Sequence, residues 1–137
     1  SPAYLKRAGE PASPKDLGRH ACLFIRESDE TFGSWHLSSG SRTETVKVRG
    51  PLASNDGECV LGWALDGQGI LLRSLWETAP LLRDGRLRVV LPGWGPPPAD
   101  IYAVFAPRSH LSAKTRVLID FLLASFEAHR VDSDGGW

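Results

Sequence analysis

Three short groups in this chain of 137 residues could hold a small anion. Ser1 and the run Ser54-Asn55-Asp56 each stand at an expected helix start, where unpaired backbone N–H groups and the helix dipole favour negative charge. Arg26, Glu27 and Ser28 follow an apolar run that reads as a strand, and open α/β sheets place ligands beyond the carboxyl ends of their strands. Each group also has a plain structural explanation. Capping residues cap, and an arginine in a loop pairs with a carboxylate or with water. By themselves the residues leave both explanations standing.

The common catalytic and cofactor patterns are missing. His20, His36, His110 and His129 are scattered without metal-ligand spacing, and neither His-Glu-x-x-His nor Cys-x-x-Cys occurs. There is no Gly-x-Ser-x-Gly nucleophile elbow. Gly67-Gln68-Gly69 starts a dinucleotide fingerprint, but Leu72 stands where its third glycine belongs. Gly62 and Gly67 have P-loop separation, yet Gln68 replaces the phosphate-contacting lysine. The expectation is a binding module with no catalytic residue, no metal and no cofactor.

Charge and cysteine content narrow the partners. Sixteen basic residues balance sixteen acidic ones, whereas a domain that held DNA alone would carry a basic excess to neutralise phosphates. Cys22 and Cys59 are too few for a stapled secreted scaffold and read as two buried free thiols in a reducing cytoplasm. No run approaches the ~20 apolar residues that cross a bilayer, and no signal segment opens the chain. A cytoplasmic protein with no membrane partner is expected.

The elements that must position these groups alternate between helix and strand. Ser1-Pro2 caps a helix through about Arg7, and Ser13-Pro14 starts a short turn from Lys15 to Arg19. Ala21 to Ile25 is a continuous apolar run suited to a central strand, and Arg26 to Gly33 is the loop after it. Ser34 to Leu37 and Thr43 to Val48 are strands around a Ser-Ser-Gly-Ser turn. A helix begins at Ser54 to Glu58, with Glu58 three positions after Asn55, and buries Val60, Leu61, Ala64 and Leu65. Gly69 to Leu72 is a strand, Pro80 opens a helix to Asp84, and Gly85 stops it. Strands at Leu87 to Leu91 and Ile101 to Phe105 follow. Ser112 caps a long helix to about Ala128, with Val117, Leu118, Phe121, Leu122 and Phe126 on one side. Four of the five tryptophans, Trp35, Trp63, Trp76 and Trp94, read as packing groups. This order predicts an α/β fold with a mixed, largely parallel sheet flanked by helices.

The motifs then occur in a familiar order. Ser1-Pro2-Ala3-Tyr4-Leu5, Leu17 and His20-Ala21-Cys22-Leu23 come first, followed by Val48-Arg49-Gly50-Pro51-Leu52 and Ser54 to Glu58. Next come Ala64 to Ile70, Gly85-Arg86-Leu87, Val90-Leu91-Pro92, Ile101 to Val104 and Lys114 to Leu122. Over residues 1 to 129 this series resembles the C-terminal part of the effector-binding domain of LysR-type bacterial transcriptional regulators. The resemblance implies a periplasmic-binding-protein-like subdomain at 1–100, a strand-and-helix segment at 101–129 returning to a first subdomain, and a tail at 130–137. It implies a small-molecule effector in the cleft between subdomains, with Ser1, Arg26, Glu27, Ser28, Asn55 and Asp56 as candidate contacts. DNA would be read only by a helix-turn-helix segment outside this sequence, and the direct start on a helix cap without methionine reads as a cut boundary. The alternative within this fold is a periplasmic-type solute-binding protein fragment.

On this resemblance the strand and helix of 101–129 would normally pack on elements that this sequence does not contain. A large apolar patch is rarely left in water, and an open strand edge invites pairing. Self-association through this segment, or folding back onto residues 1–100, is expected.

Overall fold

The computed structural model describes residues 1–26, 33–97, 102–104 and 112–131. The chain divides into two compact units, Ser1–Pro97 and Pro98–Trp137.

The first unit is organised by β1 (Cys22–Ile25), whose first three residues are all buried. Such a strand must be covered on both faces. It forms the middle of a three-stranded parallel sheet, between β4 (Ala53–Ser54) and β5 (Ile70–Leu71). Because successive side chains alternate between faces, the core divides in two. Cys22 and Phe24 join Tyr4, Leu17, Trp35, Val46, Val48 and Ile70. Leu23 instead meets Val60 and Ala64 of α2 (Gly57–Leu65). An antiparallel hairpin of β2 (Ser34–Ser39) and β3 (Arg42–Lys47) carries Trp35, Leu37 and Val46 into the first of these clusters. The result is the expected α/β architecture, with parallel and antiparallel pairing held in two separate sheets.

Two contacts lock the opening helix, α1 (Pro2–Ala8), onto this frame. The buried Tyr4 hydroxyl accepts the Ala21 N–H at 2.9 Å and bonds His20 Nδ1 at 3.1 Å. Arg7 donates to the Gly67 carbonyl at 2.7 Å. Gly50 is required by close approach, since a Cβ there would run into the Cys22 carbonyl beside the parallel bridge between Ala21 and Arg49.

Several local expectations need correction. The third helix, α3, spans Leu75–Arg83 after Ser74, so Pro80 lies inside it and does not open it. Proline there forfeits one backbone bond but leaves the first turn intact. The cap of α2 is Asp56, one residue later than the Asn55–Glu58 spacing suggested. Its carboxylate takes the Glu58 and Cys59 N–H groups at 2.9 and 3.4 Å. Leu87 to Leu91 is irregular and pairs with no strand among the described residues, and Leu91 takes a left-handed φ of 54° just before Pro92. Residues 102–104 are also irregular, while Ile101 and Phe105 lie outside the described residues. Cys22 is buried as expected, but Cys59 is exposed. The helix turn that lifts Cys59 to the surface also directs Val60 inward.

The second unit contains α4 (Ala113–Val131), whose start is capped by Ser112, with Thr115 N donating to Ser112 Oγ at 3.2 Å. Its apolar side chains Val117, Leu118, Phe121 and Leu123 are more than half exposed. Among the described residues no helix is long and apolar enough to cross a membrane.

Candidate functional site

Parallel pairing fixes where the strand ends meet. Registers Phe24↔Ala53 and Ile25↔Ser54 join β1 to β4, and Cys22↔Ile70 and Leu23↔Leu71 join it to β5. All three strands therefore point their carboxyl ends to one edge. Arg26 leaves β1 there with its N–H bonded to the Ser54 carbonyl at 2.9 Å. Ser54-Asn55-Asp56 leaves β4 and becomes the start of α2, with Asp56 N donating to Ser54 Oγ at 3.1 Å. Arg73 and Ser74 leave β5 and become the start of α3.

This edge brings together Arg26, Asn55 and Asp56, all exposed. Asp56 already serves α2 as a negatively charged cap, so the charge favoured at this helix start comes from the chain itself. Glu27 and Ser28 lie outside the described residues. Ser1 is elsewhere. It packs near Gly67, just beyond the far end of α2, so that a methyl on Gly67 would stand 3.3 Å from Ser1 Oγ. The 9 residues of α2, about 13 Å of helix, separate that end from Asp56.

Sequence reasoning misses Arg73. Its guanidinium lies against Gly57 at the first turn of α2, where a Cβ would collide with it. Nη2 donates to Glu77 Oε1 at 2.6 Å, and Nε is buried without a hydrogen-bond partner. The signal is present in the sequence. Arg73 directly follows the strand expected at Gly69 to Leu72, as Arg26 follows β1, so the same post-strand reasoning applies to it.

An open cleft of about 230 Å³ runs beside β5, the strand at the sheet's edge. Leu72, Leu75, Leu82, Leu87, Val90 and Trp94 supply apolar wall, and Ser1, Tyr4, Arg73, Thr78 and Arg88 supply the polar groups. Of the six candidate contacts, Ser1 alone lines this cleft among the described residues. Among those residues, too, no three of His, Cys, Asp and Glu are grouped so as to hold a metal.

Parallel strands with a shared carboxyl edge, flanked by helices, place the chain with α/β modules of the periplasmic-binding-protein kind. Residues 1–127 match the family model described as "LysR substrate binding domain", and the chain belongs to that family. It is 42% identical over 137 residues to the HTH-type transcriptional activator TtdR of Escherichia coli K12, covering all of this chain and 44% of that protein. It is 42% identical over 129 residues to the HTH-type transcriptional regulator DmlR of the same strain, covering 94% of this chain and 42% of that one. The chain thus spans less than half the length of either relative. Among solved structures, the regulatory domain of AphB from Vibrio vulnificus superposes with a TM-score of 0.75 at 28% identity, over 91% of this chain and 61% of that one.

Proposed function

We propose that this chain is the sensory part of a bacterial transcription regulator. A small effector held at the carboxyl edge of the β4-β1-β5 sheet stabilises one arrangement of the effector domain, and that population shift alters transcription at the DNA to which the regulator is bound. The family match over residues 1–127 carries this reading, supported by the meeting of Arg26 with Ser54-Asn55-Asp56 at one edge.

On this reading Arg26, Glu27, Ser28, Asn55 and Asp56 face the effector, and Ser1 marks the crossover into the subdomain. Residues 1–100 are the second subdomain, 101–129 the segment returning to the first, and 130–137 a tail. DNA is contacted by a segment outside this sequence, in keeping with the balanced charge. The regulator acts in the cytoplasm, carries out no catalysis, and self-associates through 101–129. The exposed apolar side chains of α4 support that last element of the reading.

Thermal-shift measurement of the chain against a panel of small organic acids tests the edge site, because a ligand that binds only the folded state raises its stability by mass action. The expected result is an acid whose affinity falls about tenfold in Arg26→Gln and Asn55→Ala, the loss of a charged or neutral hydrogen bond. If no acid of the panel loses stabilisation in these variants, the residues are removed from the site.

A further inference from the structure

We propose that the cleft beside β5 is a separate small-molecule site, suited to a compact organic carboxylate with an apolar body. Its charged liners are Arg73 and Arg88, and no acidic residue is among the described residues that line it. The hydroxyls there all make hydrogen bonds within the chain, although Ser1 Oγ, an acceptor in its bond, keeps its O–H to give. Tyr4 bonds Ala21 and His20, Thr78 donates to the Ser74 carbonyl at 3.1 Å, and Ser1 Oγ accepts the Tyr4 N–H at 3.4 Å. What the cleft offers a ligand is apolar wall, the two guanidiniums and the Ser1 O–H.

Both arginines are held by carboxylates of the chain, which shows the charge they seek. Arg73 pairs with Glu77 at 2.6 Å, and Arg88 with Glu10 at 3.4 Å. A guanidinium carries five N–H donors, so one carboxylate oxygen leaves capacity for a second anion. The Nε of Arg73 is buried without a partner and shows no surface that a ligand in the open cleft could reach, so an anion must be met by the Nη groups. Apolar walls with a few placed polar groups are the usual make-up of small-ligand sites, and about 230 Å³ lies below the ~300 Å³ where drug-sized pockets begin. The ligand must be small. This site goes beyond the effector reading above, because Arg26, Asn55 and Asp56 do not line it, although Arg73, whose guanidinium lies against Gly57 at the start of α2, stands near both sites.

Titration calorimetry of the 137-residue chain with phenylacetate, and with phenylacetamide as its neutral counterpart, tests the proposal. Phenylacetate should bind saturably and at least about tenfold more tightly than the amide, as expected of charge-assisted hydrogen bonds. Arg73→Gln and Arg88→Gln should each remove most of that preference. Arg88 is more than half exposed, so its variant decides the matter if Arg73→Gln fails to fold. Arg26→Gln should leave phenylacetate binding unchanged. Equal affinity for acid and amide, no binding of the acid at ~10 mM (weaker than about −3 kcal/mol), or full affinity in the Arg88 variant overturns the site. Loss of binding in Arg26→Gln alone places the acid at the sheet edge instead, which ends this proposal and leaves the effector reading standing.

Discussion

Leu23 and Leu118 are the same side chain in two regions built on different principles. Leu23 lies in β1 with 1% of its surface exposed, closed in by Val60 and Ala64 of α2. Leu118 lies in α4 with 55% exposed, beside Val117 and Phe121, which are exposed further still. The first unit owns a core on both faces of its sheet. The second carries a 19-residue helix whose apolar side chains meet solvent. Hydrophobic sequence pattern alone does not distinguish these cases, because it says which side must be covered and not by what. A helix of this kind is made to be covered by something other than its own side chains.

The largest expected effect comes from treating the two leucines alike. Leu23→Ala removes buried methyl groups and leaves a cavity, which should cost about 3 kcal/mol in denaturant unfolding. Leu118→Ala should change the stability of the same transition by less than about 0.5 kcal/mol. It should instead weaken any concentration-dependent association seen by light scattering. Equal costs at the two sites would mean that α4 belongs to the same core as β1, and the contrast would collapse.

The two cysteines sharpen the contrast within the first unit itself. Burial pushes the Cys22 thiol up to about 12 from an ordinary 9.0, whereas Cys59 stands exposed on α2. A raised folded-state value means that the contribution of Cys22 is complete below pH 9.0 and is lost as pH rises toward 12. At pH 10 the ionised thiol of the unfolded chain should already cost about 1.4 kcal/mol. A Cys22→Ala variant should show a correspondingly flatter decline of stability between about pH 9 and 11. Alkylation by iodoacetamide should modify Cys59 promptly and Cys22 only on unfolding. Rapid modification of both thiols would contradict the burial of β1.

What is legible in the sequence follows the same division. Continuous apolar runs and capping residues are local signals, so β1, the β2-β3 hairpin, α2 and the cap at Ser112 can all be placed. Leu87 to Leu91 has the composition of a strand, but it pairs with no other strand among the described residues, and pairing is not a local signal. Pro80 reads as a helix start because proline suits a first turn. The true start is at Ser74, which caps α3 without a side-chain hydrogen bond, and Pro80 stands well inside the helix that follows. Arg26 is legible as a candidate because it follows an apolar strand, and Asn55-Asp56 because they stand at a helix start. Arg73 carries the same local signal as Arg26, but its guanidinium lying against Gly57 of α2 is a contact between residues far apart in sequence and has no local signal. Chemistry alone groups Ser1 with the others, and only the fold sets it at the opposite end of α2.

The smallest effects test whether the caps obey the contrast too. Asp56 and Ser112 each give a side-chain oxygen to the backbone N–H groups that open a helix. Asp56→Ala should cost about 1 kcal/mol in the unfolding of the first unit, because α2 is part of its core and the whole transition feels the lost cap. Ser112→Ala removes a comparable bond from α4. The apolar side chains of that helix are exposed, so the expected change is a loss of helical circular dichroism with the unfolding midpoint unmoved. A midpoint that falls equally in both variants would show that α4 is bound into the cooperative fold, and its exposed side chains would then need a partner within the same chain.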